Sequence, residues 1–303
     1  MRLAWGFQGD AMSAEHIRHW RIGDVEVARI VEVNAFEDNI SMLLKDETAE
    51  FVRQHLWLQP HFATPEGLMK VSFQAFVLRS RGRNVMIDTC IGAARKREYE
   101  VFCNLKTTFL EDLAVAGFPA ESIRAVLCTH LHFDHVGWNT RLVNGRWVPT
   151  FPQARYLFGR QEFDHWTHLR DTGGYHNIEH LHDAIDPIVA AGLVDYIGTD
   201  YELTDEVSLF PTPGHTPGHV SVLIRSRGEE AVITGDLMHH PIQLVEPLRH
   251  GNFDMDKAQG ALTRQAFVGR FANSRVLVIG SHFPDPTSGW IVRHGSGWKL
   301  RTE

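Results

Sequence analysis

Seven residues in four short segments have the types and spacing of a metal site. THLHFDHVGWN, residues 129–139, packs His130, His132, Asp134 and His135 into six positions. A loop leaving a strand can turn such closely spaced side chains toward one point, and imidazole with carboxylate is a ligand set that zinc accepts. PTPGHTPGH, 211–219, places His215 at the tip of a turn shaped by Pro and Gly, and ITGD, 233–236, ends an apolar run on Asp236. VLVIGSHFP, 276–284, repeats that design with His282. Two divalent ions about 3.5 Å apart that share a water lower its pKa toward neutrality and polarise the bond under attack, so the chemistry on offer is hydrolysis. Asp134 is the carboxylate expected to orient the attacking water and pass a proton to the leaving group. Taken singly, each of these residues could be an ordinary turn residue; four strand ends delivering ligands together make that reading a poor one.

The elements that must position these residues are legible in outline. VEVARIVEV at 25–33 reads as a strand, residues 45–56 as a polar helical stretch, and WLQPHFATPEG after it as a loop. FQAFVLRS at 73–80 and NVMIDT at 84–89 flank RGR, which signals a hairpin. NLKTTFLEDLAVAG at 104–117 has helical spacing and ends on Gly117, and IRAVLCT at 123–129 is the strand that runs into the first histidine cluster. Beyond it the pattern predicts a strand at ARYLF, helices over about 160–168 and 177–191, and strands near 193, 206 and 219. EEAVITGD follows as a strand running into a turn, then a helix over 256–272, a strand at 276–280 and a last strand at WIVRH, 290–294. Ligands in open α/β sheets bind beyond the carboxyl ends of strands, which is where all four segments lie.

Composition narrows the class. A 303-residue chain that is 43% hydrophobic can bury the core of one elaborated α/β domain, with residues 1–70 as an N-terminal extension packed on it. The net charge of −7 offers no cationic surface for phosphates along a nucleic acid, so no nucleic-acid partner is expected. Cys90, Cys103 and Cys128 lack paired spacing and read as buried thiols of a reducing, cytoplasmic setting. The opening residues carry charges where a signal peptide needs apolar ones, and no run is long enough to span a membrane. Nineteen histidines prompt the search for clusters, whereas His16, His19, His165, His176 and His294 read as scattered surface residues.

In order and spacing, H-x-H-x-D-H, T-P-G-H, T-G-D and G-S-H resemble the metallo-β-lactamase superfamily, over about residues 72–294. The resemblance implies a four-layer αβ/βα sandwich of the α/β class, with metals at one edge between two sheets. It implies that His130, His132 and His215 hold one metal, that Asp134, His135 and His282 hold a second, and that Asp236 bridges them. The expected ions are two divalent metals, zinc first, with manganese, iron or cobalt as alternatives. His219 is expected to support the site by hydrogen bonding. True lactamases of class B1 place cysteine where this chain has Asp236, diiron flavoproteins place glutamate where it has His132, and nucleases carry an insertion or basic arm that twenty residues between His215 and Asp236 do not accommodate. Only 21 residues follow His282, too few for the helical region of glyoxalase II-like thioesterases.

What remains resembles the lactonase and methyl-parathion-hydrolase-like group. A small ester or lactone is the expected substrate, with a phosphotriester or a mononuclear-iron, persulfide-dioxygenase-like reaction as alternatives and a homodimer as a candidate assembly. Lactonases of the group carry a tyrosine three residues beyond the bridging aspartate; here His239 occupies that place, followed by His240, and either could act as a donor to substrate. Trp57, Phe62, Trp138, Phe163 and Trp166 are the candidates for an apolar pocket.

Overall fold

The computed structural model describes residues 17–302. Sixteen strands are present among them: β1 (Arg18–Ile22), β2 (Val25–Asp38), β3 (Met69–Ser80), β4 (Arg83–Ile87), β5 (Ile123–Leu127), β6 (Thr140–Val143), β7 (Arg146–Pro149) and β8 (Arg155–Gly159) in the first half. Then come β9 (Val194–Ile197), β10 (Glu202–Thr204), β11 (Val207–Pro211), β12 (Val220–Ser226), β13 (Glu229–Ile233), β14 (Leu277–Ile279), β15 (Ser288–His294) and β16 (Gly297–Arg301). Seven form a sheet in the order β1-β2-β3-β4-β5-β8-β9, and the last seven form a second sheet in chain order, with β6 and β7 as a separate hairpin. Strands β4, β5, β8 and β9 run parallel, as do β13 and β14.

Alternation along the strands decides which residues meet. In β2, β3 and β4 the side chains of Val25, Val27, Phe76, Leu78, Val85 and Ile87 face inward, where they pack against Val222, Ile224, Ala231, Ile233 and Ile279 of the second sheet. The intervening Ala28, Ile30, Ala75, Val77 and Met86 face outward and are covered by Phe109, Leu113, Trp166, Leu181 and Ile188. On the far side, Leu223, Val232 and Val278 lie beneath Phe267, Val268 and Phe271 of the helix Lys257–Phe271, with Ile40, Leu43 and Val52 beside them. Both sheets are thus buried on both faces, which is why their strands read as nearly continuous apolar runs. Three apolar layers between four tiers of structure make an αβ/βα sandwich, the expected fold. Each Val, Ile or Leu sealed in them contributes roughly 1.5–3 kcal/mol over its exposed state.

Several elements differ from the sequence reading. The helix expected at 104–117 runs only over Phe109–Val115, because Asn104 adopts a left-handed conformation at φ 53° and the chain before Thr108 is irregular. The helix expected at 177–191 becomes a π turn, Leu181–Ile185, leading into Asp186–Ala190. Pro187 has no N–H to give to Asp183 and its ring crowds that carbonyl, so a regular α turn cannot pass through. WIVRH is not the last strand: β15 turns at Gly295 and pairs with β16, whose Trp, Lys and Arg gave no apolar pattern. Strands β1, β6, β7 and β10 also lacked a clear signal, and the stretch 45–56 is helical only over Ala49–Arg53 before a 3-10 turn. Cys90 and Cys128 are buried, but Cys103 is half-exposed, with its sulfur 3.2 Å from the backbone N–H of Arg97. His19, His176 and His294 are exposed as expected, His165 is half-buried, and His16 lies outside the described residues. Among the described residues no helix is long and apolar enough to cross a membrane.

The loops after β4 and β5 are laced together directly behind the histidine cluster. Thr89 N donates to the His135 carbonyl, Gly137 N to Cys90 and Trp138 N to Thr89, each at 2.7 Å. A Cβ on Gly137 would fall 2.0 Å from the Ile91 carbonyl, so only glycine permits this approach. Gly137→Ala is therefore expected to force the loops apart and cost about 1–3 kcal/mol, read as a lowered melting temperature. An unchanged melting curve would show that the contact is not a constraint.

Candidate metal centre

All four expected segments reach one edge of the sandwich. His130, His132, Asp134 and His135 follow β5, His215 lies between β11 and β12, Asp236 follows β13, and His282 follows β14. The two sheets meet there through Val220 N, which donates to the Thr129 carbonyl at 3.1 Å. The seven side chains come together as two clusters, His130 with His132 and His215, and Asp134 with His135, Asp236 and His282, in each of which the ligand atoms lie within 4.8 Å of one another.

In the first cluster, His132 Nδ1 is 2.9 Å from His130 Nε2 and 2.8 Å from His215 Nε2, and those two are 3.2 Å apart. Three mutually adjacent ring nitrogens cannot all be joined by hydrogen bonds, since one N–H leaves at least one pair with lone pair facing lone pair. A cation at the centre resolves this: nitrogens about 2.0–2.1 Å from zinc in tetrahedral array stand about 3.3 Å apart, close to the observed spacing. In the second cluster, His135 Nε2 and His282 Nε2 are 3.3 Å apart, and Asp134 Oδ2 is 3.7 and 3.5 Å from them.

Asp236 stands between the clusters. Its Oδ1 is 3.2 Å from His135 Nε2 and 3.1 Å from His282 Nε2, while Oδ2 is 3.2 Å from His282 Nε2, 3.5 Å from His215 Nε2 and 3.8 Å from His130 Nε2. Oδ1 is buried with no hydrogen-bond partner. A buried carboxylate that is crowded by ring nitrogens yet accepts no well-directed hydrogen bond on Oδ1 is a setting that cations would relieve, so the donor set fits a pair of divalent ions.

Burial, then the neighbouring imidazoles, holds His130 and His132 well below the ordinary histidine pKa; burial, with His239 and His219 nearby, does the same to His215 despite Asp236. All three are neutral near pH 7, as ligands must be. Burial also acts to lower His135 and His282, but the carboxylates of Asp236 and Asp134, joined for His135 by Asp88, outweigh it and raise both. Burial would raise Asp236, yet His135, His282 and His239 keep it well below the usual carboxylate range.

Residues that hold these rings were only partly foreseen. Asp88 takes the Thr129 N–H at 2.7 Å and pairs with His135 Nδ1 at 2.9 Å. Its signal was available, because it ends an apolar strand as Asp236 does. Glu162, buried in the helix Arg160–Thr172, takes Leu131 N at 3.2 Å and Trp166 Nε1 at 2.8 Å on Oε1, and Gly218 N at 3.0 Å on Oε2. It thereby clamps both loops of the first cluster, and burial raises its pKa despite those donors. Glu32, the acid within the apolar β2, gathers Ile91 N, Gly92 N and Trp138 Nε1 at 2.6–3.2 Å. Only its burial explains this role, and sequence does not display burial. His282 Nδ1 lies 2.9 Å from the Ser72 carbonyl.

His219 sits behind Asp236: Nδ1 bonds the Thr212 carbonyl at 3.0 Å and Nε2 accepts the Asp236 N–H at 2.8 Å, with burial lowering its pKa to about 4. His240 is not at the site. Its Nε2 donates to the Phe62 carbonyl at 2.6 Å, its Nδ1 accepts from Ile242 N at 3.1 Å, and it caps the following turn, so neither nitrogen is available to substrate. His239 does face the clusters, with Nε2 3.2 Å from Asp236 Oδ2.

Of the five aromatic residues expected to line a pocket, Trp166 borders a candidate ligand, edge-on to His132 at 5.3 Å. Trp138 stacks on Phe109 in the core, Phe163 lies on Tyr196, and Trp57 and Phe62 belong to the outer layer of the second sheet. Phe73, 5.2 Å from the His282 ring, leads instead into a group with Phe36, Phe102 and Phe133, and Phe253 lies 5.2 Å from His239. These phenylalanines come from five separate stretches of chain, and no local spacing links them.

Glu162→Gln retains the shape of the clamp but replaces one acceptor oxygen by an amide, so Leu131 N or Gly218 N loses its partner. Metal affinity is expected to fall about 10–100-fold in a chelator-competition titration. Unchanged affinity would show that the loops hold their geometry without it.

The comparisons with known proteins agree with this geometry. An N-acyl homoserine lactonase of a Bacillus species is 24% identical over 217 residues, 66% of this chain and 78% of that protein. The structure of AidC, a dizinc quorum-quenching lactonase in complex with a product, superposes with a TM-score of 0.76 at 20% identity, covering 95% of this chain and 97% of the other. That of the hydrolase AbOPH, in the beta lactamase superfamily, gives 0.76 at 23%, covering 95% and 98%. At such identities the superpositions speak for the fold. Residues 74–300 match the model of the metallo-beta-lactamase superfamily, and the chain belongs to that superfamily as a metal-dependent hydrolase.

Proposed function

We propose that the protein hydrolyses a small lactone or carboxylic ester with two divalent ions, zinc in the first instance. His130, His132 and His215 would hold one, Asp134, His135 and His282 the other, and Asp236 would join them. The observation that carries this reading is Asp236, whose carboxylate lies between two adjoining donor clusters, Oδ1 among the nitrogens of the second and Oδ2 within 3.5 Å of His215 in the first. Bound there, the ions would supply an activated water and a Lewis acid for the scissile carbonyl.

The chain's own residues complete the chemistry. The Asp134 carboxylate, 12% exposed where the other metal-facing carboxylate, Asp236, is 3%, lies toward the opening and would take a proton at its second oxygen and return it to the leaving alkoxide. Phe36, Phe73, Phe102 and Phe133 form an apolar wall beside His282 that would bury an acyl chain and exclude water from the carbonyl. Support also comes from the Bacillus relative, itself an N-acyl homoserine lactonase. The completeness of the second cluster favours hydrolysis over a mononuclear-iron oxidation.

A panel of lactones, aryl esters and phosphotriesters, assayed with zinc, manganese and cobalt, tests the reading. Metal-dependent turnover is expected on lactones or esters; turnover confined to phosphotriesters would assign the same site to the alternative substrate, and none on any class would sink it. In the same assay Asp134→Asn is expected to lower kcat about 10²–10⁴-fold with the fold intact. A near-normal rate would remove the proton-transfer role.

A further inference from the structure

One histidine beyond the seven faces the same place. His239 Nε2 lies 3.2 Å from Asp236 Oδ2, its ring is tilted edge-on to His215 at 4.9 Å, and it stacks at 9° on the ring of His282 at 5.6 Å. His215, Asp236 and His239 form a third donor group, again with all ligand atoms within 4.8 Å of one another. Local structure puts it there. The turn after β13 returns residue 239 to the side of residue 236, and Gln243 Oε1 accepts the backbone N–H groups of His239 and His240 at 2.8 and 3.3 Å. This pins the backbone while the His240 ring goes into the core and the His239 side chain, 12% exposed, faces the opening.

His239 is held differently from most of its neighbours. The second nitrogens of His130, His135 and His282 meet Thr129 Oγ1, Asp88 and the Ser72 carbonyl at 3.2, 2.9 and 2.9 Å. His239 Nδ1 is buried without a partner. His215 Nδ1 also lacks a hydrogen bond, but Asp254 Oδ1 stands 3.7 Å away and its side chain is 3% exposed, so packing confines it. A ring with one nitrogen among metal donors, no anchor on the other and an open side toward the cleft can leave by rotation about its side-chain bonds alone.

We propose that His239 is an eighth, displaceable donor to the cation of the first cluster, coordinating through Nε2 while the cleft is empty and yielding that position to a substrate oxygen. The exchange replaces one lone pair by another and moves no proton. It rests on the metal-hydrolase reading, and it implies that His239 strengthens metal binding while weakening substrate binding.

The test is a titration of chelator-stripped full-length protein with Zn2+ against a chromophoric chelator, repeated with Co2+ to follow its visible absorption. Wild type is compared with His239→Ala and His239→Glu, and KM is measured on whichever lactone or ester the wild type turns over. The expected result is at least a tenfold loss of affinity for one of two ions in His239→Ala, about the effect of losing a ligand's support, with a changed Co2+ spectrum, recovery in His239→Glu and a lower KM in His239→Ala. Equal melting of the metal-free proteins guards against misfolding. Unchanged metal affinity with a raised KM would make His239 a hydrogen-bond donor to substrate and overturn the proposal alone. A wild type that binds no metal would overturn the proposed function with it.

Discussion

Seven metal-seeking side chains are driven into one buried volume where they cannot satisfy one another. Neutral imidazole nitrogens of His130, His132 and His215 confront each other at 2.8–3.2 Å, and the central carboxylate has a buried oxygen that accepts no well-directed hydrogen bond. Desolvation that is compensated in an ordinary core by hydrogen bonds would be compensated here by cations. Ions bound there would link metal binding to folding.

The frame around the site follows from that constraint. Rings that must point at one spot need their other edges fixed, and different parts of the fold supply the fixings: Asp88 from β4, Glu162 from a helix outside the first sheet, the Ser72 carbonyl from β3, and His219 from the start of β12. Glu162 and Asp88 are buried acids with several donors each, so the network behaves as a polar core nested at the rim of an apolar one. Glu32 extends it a layer further, tying the loops after β4 and β5 through Trp138. Coupling of this kind explains how four loops separated by up to 152 positions, from His130 to His282, meet with the regularity seen here.

The rim of the site differs from its interior. Asp134 and His239 are 12% exposed where Asp236 is 3%, and Phe73 beside His282 leads into a largely buried group with Phe36, Phe102 and Phe133.

The seven candidate donors and their placement at strand ends were legible in the sequence because both depend on local rules, whereas the αβ/βα class was implied by the family resemblance of the motifs. An apolar run ends, Pro or Gly shapes the turn, and a ligand type stands in the next few positions. Asp88 obeys the same rule and was open to the same reading. Tertiary structure decided everything that depends on which side of a layer a residue faces. His239 and His240 are adjacent and identical in type, yet one turns to Asp236 and the other into the core, because a capped turn rotates successive side chains apart. Glu162 and Glu32 become anchors only once buried, and Phe36, Phe73, Phe102, Phe133 and Phe253 become neighbours of the site only once β2, β3 and the loops have folded around it. Local pattern specifies chemistry at a strand's end; contact between distant segments is set by packing, and packing has no signature in residue spacing.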